Sequence, residues 1–220
     1  MVEVAWKRGV NLFAGQIVGI ILAAGRAARF GPPKQLLPLG ETTVLGHVLA
    51  NANSSILDKV VLVLGRAAPE IEESVDFGRA IVVNNAAYPS GCASSLLAGL
   101  DAAADCGGMM LLLGDQPGVG SKIIDLVSRD WLSKPSWAAV TSYRGELGHP
   151  FVFARSAFED LRGLHGDKAV WKLIEAHPER VRRIEVDSEL PPDIDCPDDY
   201  RSLLANWPRS GSATPPKRGA

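Results

Sequence analysis

Cysteine is scarce in this 220-residue chain: Cys92, Cys106 and Cys196 lie far apart, with no CxxC pair and no Cys/His cluster. That excludes a structural zinc site and a disulfide framework, and it suits reduced thiols in a cytoplasmic protein. No apolar run approaches the roughly 18 residues of a membrane span, and the opening "MVEVAWKRGVNLFAGQ" lacks the apolar centre of a signal peptide. Neither sign of charge dominates, since the net charge is −2. With aromatics at 6% and no basic-aromatic stripe, nucleic acid and membrane surfaces are not expected partners. A Walker A loop, the GxGxxG fingerprint, a GxSxG elbow, HExxH and an EF-hand loop are all missing. There are no internal repeats.

What is present is enough apolar sequence, 46% hydrophobic against 22% charged, to bury the core of one α/β domain. Residues 1–15 read as an N-terminal extension, 16–206 as a single domain, and 207–220, which include "PRSGSATPPKRGA", as a disordered tail. Near-continuous apolar runs predict strands at 17–23, 59–64, 80–84, 108–113 and 137–142, buried on both faces as in a parallel sheet. Helical periodicity fits 43–53, 68–75, 93–104, 120–131, 155–162, 167–176 and 197–205, with capped openings at Thr42, around Ser94, and at Pro197 after Cys196. This alternation predicts a doubly wound, mostly parallel sheet, and "SYRGELGHPFVFAR" (142–155) adds a small antiparallel excursion. In such sheets ligands sit outside the carboxyl ends of the strands, so site residues are expected in the loops that follow them.

Five such stretches carry polar chemistry. In "VGIILAAGRAARFGPPKQLLPL" (18–39), Gly25 frees the backbone to turn N–H groups toward an anion, and Arg29 and Lys34 can neutralise phosphate oxygens. The same residues could also form an ordinary solvated turn. In "LLLGDQP" (111–117), Asp115 stands directly after an apolar run, where one carboxylate can hold Mg²⁺ together with phosphate and water. Gly114 would leave room for the ligand; the alternative, Asp115 as a cap for the helix near 120, spans too many residues. In "DIDCPDDY" (193–200), Asp195 reads as a helix cap, a second metal ligand, or both, with one oxygen for each task. "NNAAYPSGCASSLLAGL" (84–100) offers Asn85, Ser94 and Ser95 around a helix start, which suits a hydrogen-bonding or anionic ligand but also a plain capped helix. In "GHP" (148–150), His149 could touch substrate or pack structurally, and Tyr143 and Arg144 share that choice.

A phosphate loop, a metal carboxylate and a second carboxylate near the end of the domain together suit a nucleoside triphosphate bound with Mg²⁺. At this point "LAAGRAARFGPPKQLLPLGETTVL" closely resembles the signature of the MobA-like nucleotidyltransferases, and "SGCASSLLAGL", "GDQP", "GHPFVF" and "DIDCPDDY" resemble that family's later motifs. The resemblance covers roughly residues 17 to 205 and is strongest to the molybdenum cofactor cytidylyltransferase branch. Guanylyl-transferring relatives read LAGG where this chain has Leu22-Ala23-Ala24-Gly25. The methyl of Ala24 would narrow the base pocket toward cytosine. Cys92-Ala93 and Cys196 depart from the Met-Ser and Thr of many relatives.

The resemblance implies a Rossmann-like nucleotidyltransferase fold that moves CMP from CTP to the phosphate of molybdopterin, with release of pyrophosphate, for a molybdenum hydroxylase client. It implies Lys34, Arg29 and Asp115 as catalytic residues. Leu22, Ala23, Ala24, Gly25, Asn85 and Ser94 would bind nucleotide alongside Arg29 and Lys34. Gln116, Arg144 and His149 would face the acceptor, and Asp115 and Asp195 would hold Mg²⁺. Alternatives are guanylyl or sugar-phosphate transfer on the same fold, a cofactor carrier, or an NAD(P)H-dependent reductase; retention of Arg29, Lys34 and Asp115 argues against the last two.

Overall fold

The computed structural model describes residues 15–25, 31–103, 105–166 and 168–208. Arg29, the extension before residue 15 and the segment after 208 lie outside the described residues. The chain forms β1 (Ile17–Leu22), the short strands β2 (Pro38–Leu39) and β3 (Thr42–Thr43), α1 (Val44–Asn53), β4 (Lys59–Leu64), α2 (Ala68–Ser74) and β5 (Ile81–Asn84). It continues through α3 (Cys92–Ala102), β6 (Gly108–Leu113), α4 (Ser121–Ser133), β7 (Ala138–Tyr143), β8 (Glu146–Ala154), α5 (Phe158–Arg162), α6 (Ala169–Ala176), β9 (Val181–Val186) and α7 (Pro197–Asn206).

Seven strands form one sheet in the order β5-β4-β1-β6-β8-β7-β9. Every neighbouring pair is parallel except those made by β8, which runs against both β6 and β7. The expected doubly wound sheet is therefore present, with β8 as its antiparallel member. Alternate strand residues serve two cores, as a period of two requires. Ile17, Ile21, Leu62 and Leu112 pack under α1, α2 and α4, while Ile20, Val61, Val63 and Leu111 pack under α3, α5 and α6.

β9 had no counterpart among the predicted strands. Its sequence, VRRIEV, places Arg182, Arg183 and Glu185 among the apolar residues, because as an edge strand it buries only Ile184 and Val186 fully. β2 and β3 form a separate two-stranded sheet, and α7 closes over it through Leu39, Val44, Ile194 and Leu203. Trp207, assigned from sequence to the tail, sets its ring edge-on to His47, with centroids 4.9 Å apart. Among the described residues no helix is long and apolar enough to cross a membrane.

Candidate active site

β1 and β6 are neighbours and end level, with Leu22 opposite Leu113, so the loops after them leave the sheet side by side. The Gly114 N–H donates to the Leu22 carbonyl at 2.9 Å, and the Ala23 N–H donates to Val63 O at 2.9 Å. A Cβ on Gly114 would come within 2.8 Å of the Ala23 Cβ. This corrects the expectation that Gly114 makes room for a ligand: the missing side chain lets the two loops touch. Gly25 behaves differently, because a Cβ there would meet nothing within 4 Å among the described residues. Gln35, which the sequence did not single out, is buried and donates through Nε2 to the Ala23 carbonyl at 3.0 Å. Both backbone groups of Ala23 are thus engaged, while Ala24, packed against Gly65, and Gly25 border a space between the loops.

That space is a cavity of about 430 Å³. Leu22, Ala24 and Gly25 line one side, Lys34 and Asp115 close one part of it, and Gly91, Cys92 and Ser95 at the start of α3 face it, with Tyr88 and Pro89 beside them. Gly91 has φ of 109°, a region that favours glycine, and it begins α3 with no side-chain cap. Backbone carbonyls occupy part of this helix start, since the Ala93 N–H donates to Gly166 O at 3.2 Å and the Ser94 N–H to Gly91 O at 3.2 Å.

Asn85 acts at one remove from the cavity. Its Nδ2 donates to Ser94 Oγ at 3.0 Å and Ser95 Oγ at 3.1 Å, and its Oδ1 accepts from the Ala87 N–H at 2.9 Å. Ser94 Oγ lies 2.9 Å from the Ala87 carbonyl and 2.8 Å from that of Gly91, so its hydroxyl is occupied within the loop. Of the two serines, Ser95 lines the cavity.

The 3-10 turn Lys34–Leu36 aims Lys34 at the loop after β6. Its ammonium pairs with Asp115, donates to the Ile194 carbonyl at 2.9 Å and reaches Asp195 Oδ1 at 3.2 Å. Burial works to lower the Lys34 pKa, but attraction and hydrogen bonding from Asp115, and then Asp195, outweigh it and hold the group above its ordinary value. Partial burial of the Asp193 carboxyl, reinforced by Asp115 and Asp195, pushes it up to about 6.

The cap alternatives are resolved by the loops around these groups. Asp199, not Asp195, accepts from the N–H groups of Asp195 (2.9 Å) and Cys196 (2.7 Å), which leaves the Asp195 carboxylate for Lys34. Hydrogen bonds from the Cys196 side chain and these N–H groups hold Asp199 below the usual carboxylate range. α4 starts after Gly120 with no side-chain cap, so Asp115 does not cap it. Likewise Thr43, one residue past the expected Thr42, caps α1 by accepting from the Gly46 N–H at 3.0 Å.

Two carboxylates converging on the position of one cation form a hard oxygen donor set that fits Mg²⁺. Among the described residues no group of three or more His, Cys, Asp or Glu is arranged to cage a metal. Mg²⁺ does not need such a cage, since it commonly takes one or two carboxylates and completes its shell with phosphate and water.

The structure does not bring the three expected acceptor residues into the cavity lining. Gln116 is buried and faces Asp193 and the Pro191 carbonyl. Arg144 sits on the exposed β7–β8 turn, where its Nε donates to Asp187 Oδ1 at 2.8 Å. His149 is buried on β8, stacked on Phe151 at 4.1 Å between centroids and edge-on to Trp171, and burial pushes its imidazole down to about 4, so it is neutral at pH 7. Asp193 and Ser95 gain weight from the fold. Asp193 shares the motif of Asp195, a signal already in the sequence, whereas only packing distinguishes Ser95 from Ser94.

Among solved structures, the Mycobacterium sp. strain JC1 homologue of Mycobacterium tuberculosis Rv0371c is 42% identical with a TM-score of 0.78, covering 87% of this chain and 96% of that one. Rv0371c in complex with manganese is 37% identical with a TM-score of 0.71, covering 87% and 99%. The purine catabolism protein PucB of Bacillus subtilis is 28% identical over 84% of this chain and 94% of its own length. The molybdenum cofactor cytidylyltransferase of Escherichia coli is 27% identical over 62% and 69%. The family model of the MobA-like NTP transferase domain matches residues 19–181, and with the loops after β1 and β6 meeting at one cavity, the chain belongs to the MobA-like NTP transferase family, a family of nucleotidyltransferases.

Proposed function

We propose that this protein transfers CMP from CTP to the phosphate of molybdopterin, releasing pyrophosphate, and so serves the maturation of a molybdenum hydroxylase. The observation that carries the transfer is the Lys34 ammonium, held at the cavity by Asp115, Asp195 and the Ile194 carbonyl. A fixed cation beside carboxylates is what a triphosphate with its metal requires. The similarity to the Escherichia coli cytidylyltransferase supports cytosine as the base, with Ala24 among the residues that line the cavity.

In the reaction an ionised phosphate oxygen of the acceptor attacks the α-phosphorus of CTP. A new P–O bond forms, the bond from the α-phosphorus to the bridging oxygen breaks, and pyrophosphate leaves with its electron pair. The nucleophile is already an anion, so no strong general base is needed, and catalysis rests on positioning and charge stabilisation. Lys34 donates to phosphate oxygens on which charge builds. Ala24, Gly25 and Ser95 frame the base and ribose, and the Arg29 guanidinium would add a second cationic contact to the triphosphate beside the Lys34 ammonium. Asp115 and Asp195 would hold Mg²⁺, which neutralises phosphate charge when bound; the manganese complex of the mycobacterial relative supports a divalent cation here.

The deciding experiment is pyrophosphate release by the purified protein with Mg²⁺ and molybdenum cofactor, comparing CTP, GTP and ATP. Release with CTP alone is the expected result. Release with GTP would keep the transferase and overturn the cytidylyl assignment. No release with any nucleotide, alongside cofactor-dependent consumption of NAD(P)H, would replace the transferase with a reductase.

A further inference from the structure

We propose that Gln116 is a positioning residue that latches the 191–195 segment to the loop after β6 through Asp193, and so sets the second carboxylate, Asp195, beside Lys34 and Asp115. The inference rests on the reading of Asp115 and Asp195 as the cation-facing pair, and it assigns Gln116 a role other than contact with the acceptor.

Residues 191–195 belong to no helix or strand, so the position of Asp195 depends on side-chain ties. Gln116 is only 4% exposed, and its Nε2 donates to Asp193 Oδ1 and lies 3.4 Å from the Pro191 carbonyl. Both partners are acceptors, so the amide nitrogen must face them and the orientation of the side chain is settled. Gly118, two residues on, brings its backbone against Pro191, where a Cβ would stand 3.0 Å from Pro191 Cβ. The segment is then drawn to the site from its other end, where Lys34 binds the Ile194 carbonyl and Asp199 accepts from the Asp195 N–H. Asp193 and Asp195 are separated by one residue, Ile194, which is fully buried under α7. With Ile194 anchored and Asp193 held by Gln116, Asp195 has little freedom to leave Lys34.

The test combines hydrogen exchange of the 190–196 peptide with the Mn²⁺ affinity of the full-length protein, read by electron paramagnetic resonance. Partners one step behind a metal ligand are commonly worth about 10–100-fold in metal affinity. Gln116→Leu should speed exchange at Asp195 and Cys196 and weaken Mn²⁺ binding about tenfold. Asp193→Asn keeps an acceptor for Gln116, so both readouts should stay within about threefold of the parent, the conservative change preserving the latch. Should Gln116→Leu fail to fold, Gln116→Met, of similar length but without a donor, should reproduce its effects.

Unchanged exchange in the folded Gln116 variant would overturn the latch. Loss of Mn²⁺ binding in Asp193→Asn with exchange preserved would also overturn it, by making Asp193 a ligand. If the parent protein binds no Mn²⁺, the exchange data still decide the latch, and the metal assignment above is what fails.

Discussion

Lys34 is held by three oxygen partners from two distant loops, and in the proposed transfer the charge that joins those loops also meets phosphate. Removing it leaves Asp115 and Asp195 facing each other without a counter-charge. Lys34→Ala should lower kcat/KM by about 10²–10³-fold, the usual loss for one transition-state donor, in steady-state pyrophosphate assays with CTP. Asp115→Ala should abolish transfer while circular dichroism shows the native fold, because Asp115 stands in a loop and not in the core. These residues were legible in the sequence because each follows an apolar strand that must end at the sheet's carboxyl edge. Gln35, the choice of Ser95 over Ser94 and the inward turn of Gln116 were not, since neutral polar side chains look alike until packing decides which way they face.

At the scale of the element, β8 shows how a strand can be re-aimed. Val140 pairs with Phe151 but Thr141 pairs with Gly148, so His149 and Pro150 are extra on β8 and bulge out of the ladder. Two β7 side chains serve the carbonyls this exposes: Thr141 Oγ1 donates to Pro150 O at 2.7 Å, and Tyr143 Oη donates to His149 O at 2.6 Å. Thr141→Val keeps the shape and strands a buried carbonyl, so it should cost about 1–3 kcal/mol in chemical denaturation. The strand-turn-strand pattern of 142–155 was readable from its Gly-containing turn. The bulge was not, because it depends on which residues of β7 come to lie opposite.

For the whole molecule, the buried His149 makes stability depend on pH. Its folded pKa of about 4 lies below the ordinary value of 6.5, so between those values the unfolded chain binds more protons. The stability this depressed pKa preserves is complete above about 6.5 and is lost as pH falls toward 4. Asp193, pushed up to about 6, contributes with the opposite sign over an overlapping range, so the His149 share must be isolated by difference. The stability difference between the parent protein and His149→Phe should shift by about 2 kcal/mol between pH 7.5 and pH 5, to the disadvantage of the parent, in urea titrations at both values. A difference that does not move with pH would mean that the ring titrates normally.

Sequence alone determined the alternation of the central strands and helices, the mostly parallel character of the sheet and the loops where chemistry gathers. These follow from local periodicity and from the rule that a strand buried on both faces must be covered by helices. Only the tertiary structure decided that β8 inserts between β6 and β7, that VRRIEV becomes an edge strand, and that Lys34 and Asp195, 161 residues apart, meet over Asp115. Such contacts join segments that carry no information about each other until the chain has folded. The hydrophobic pattern dictates which face is buried, while the partner of each buried polar group is settled by what arrives beside it.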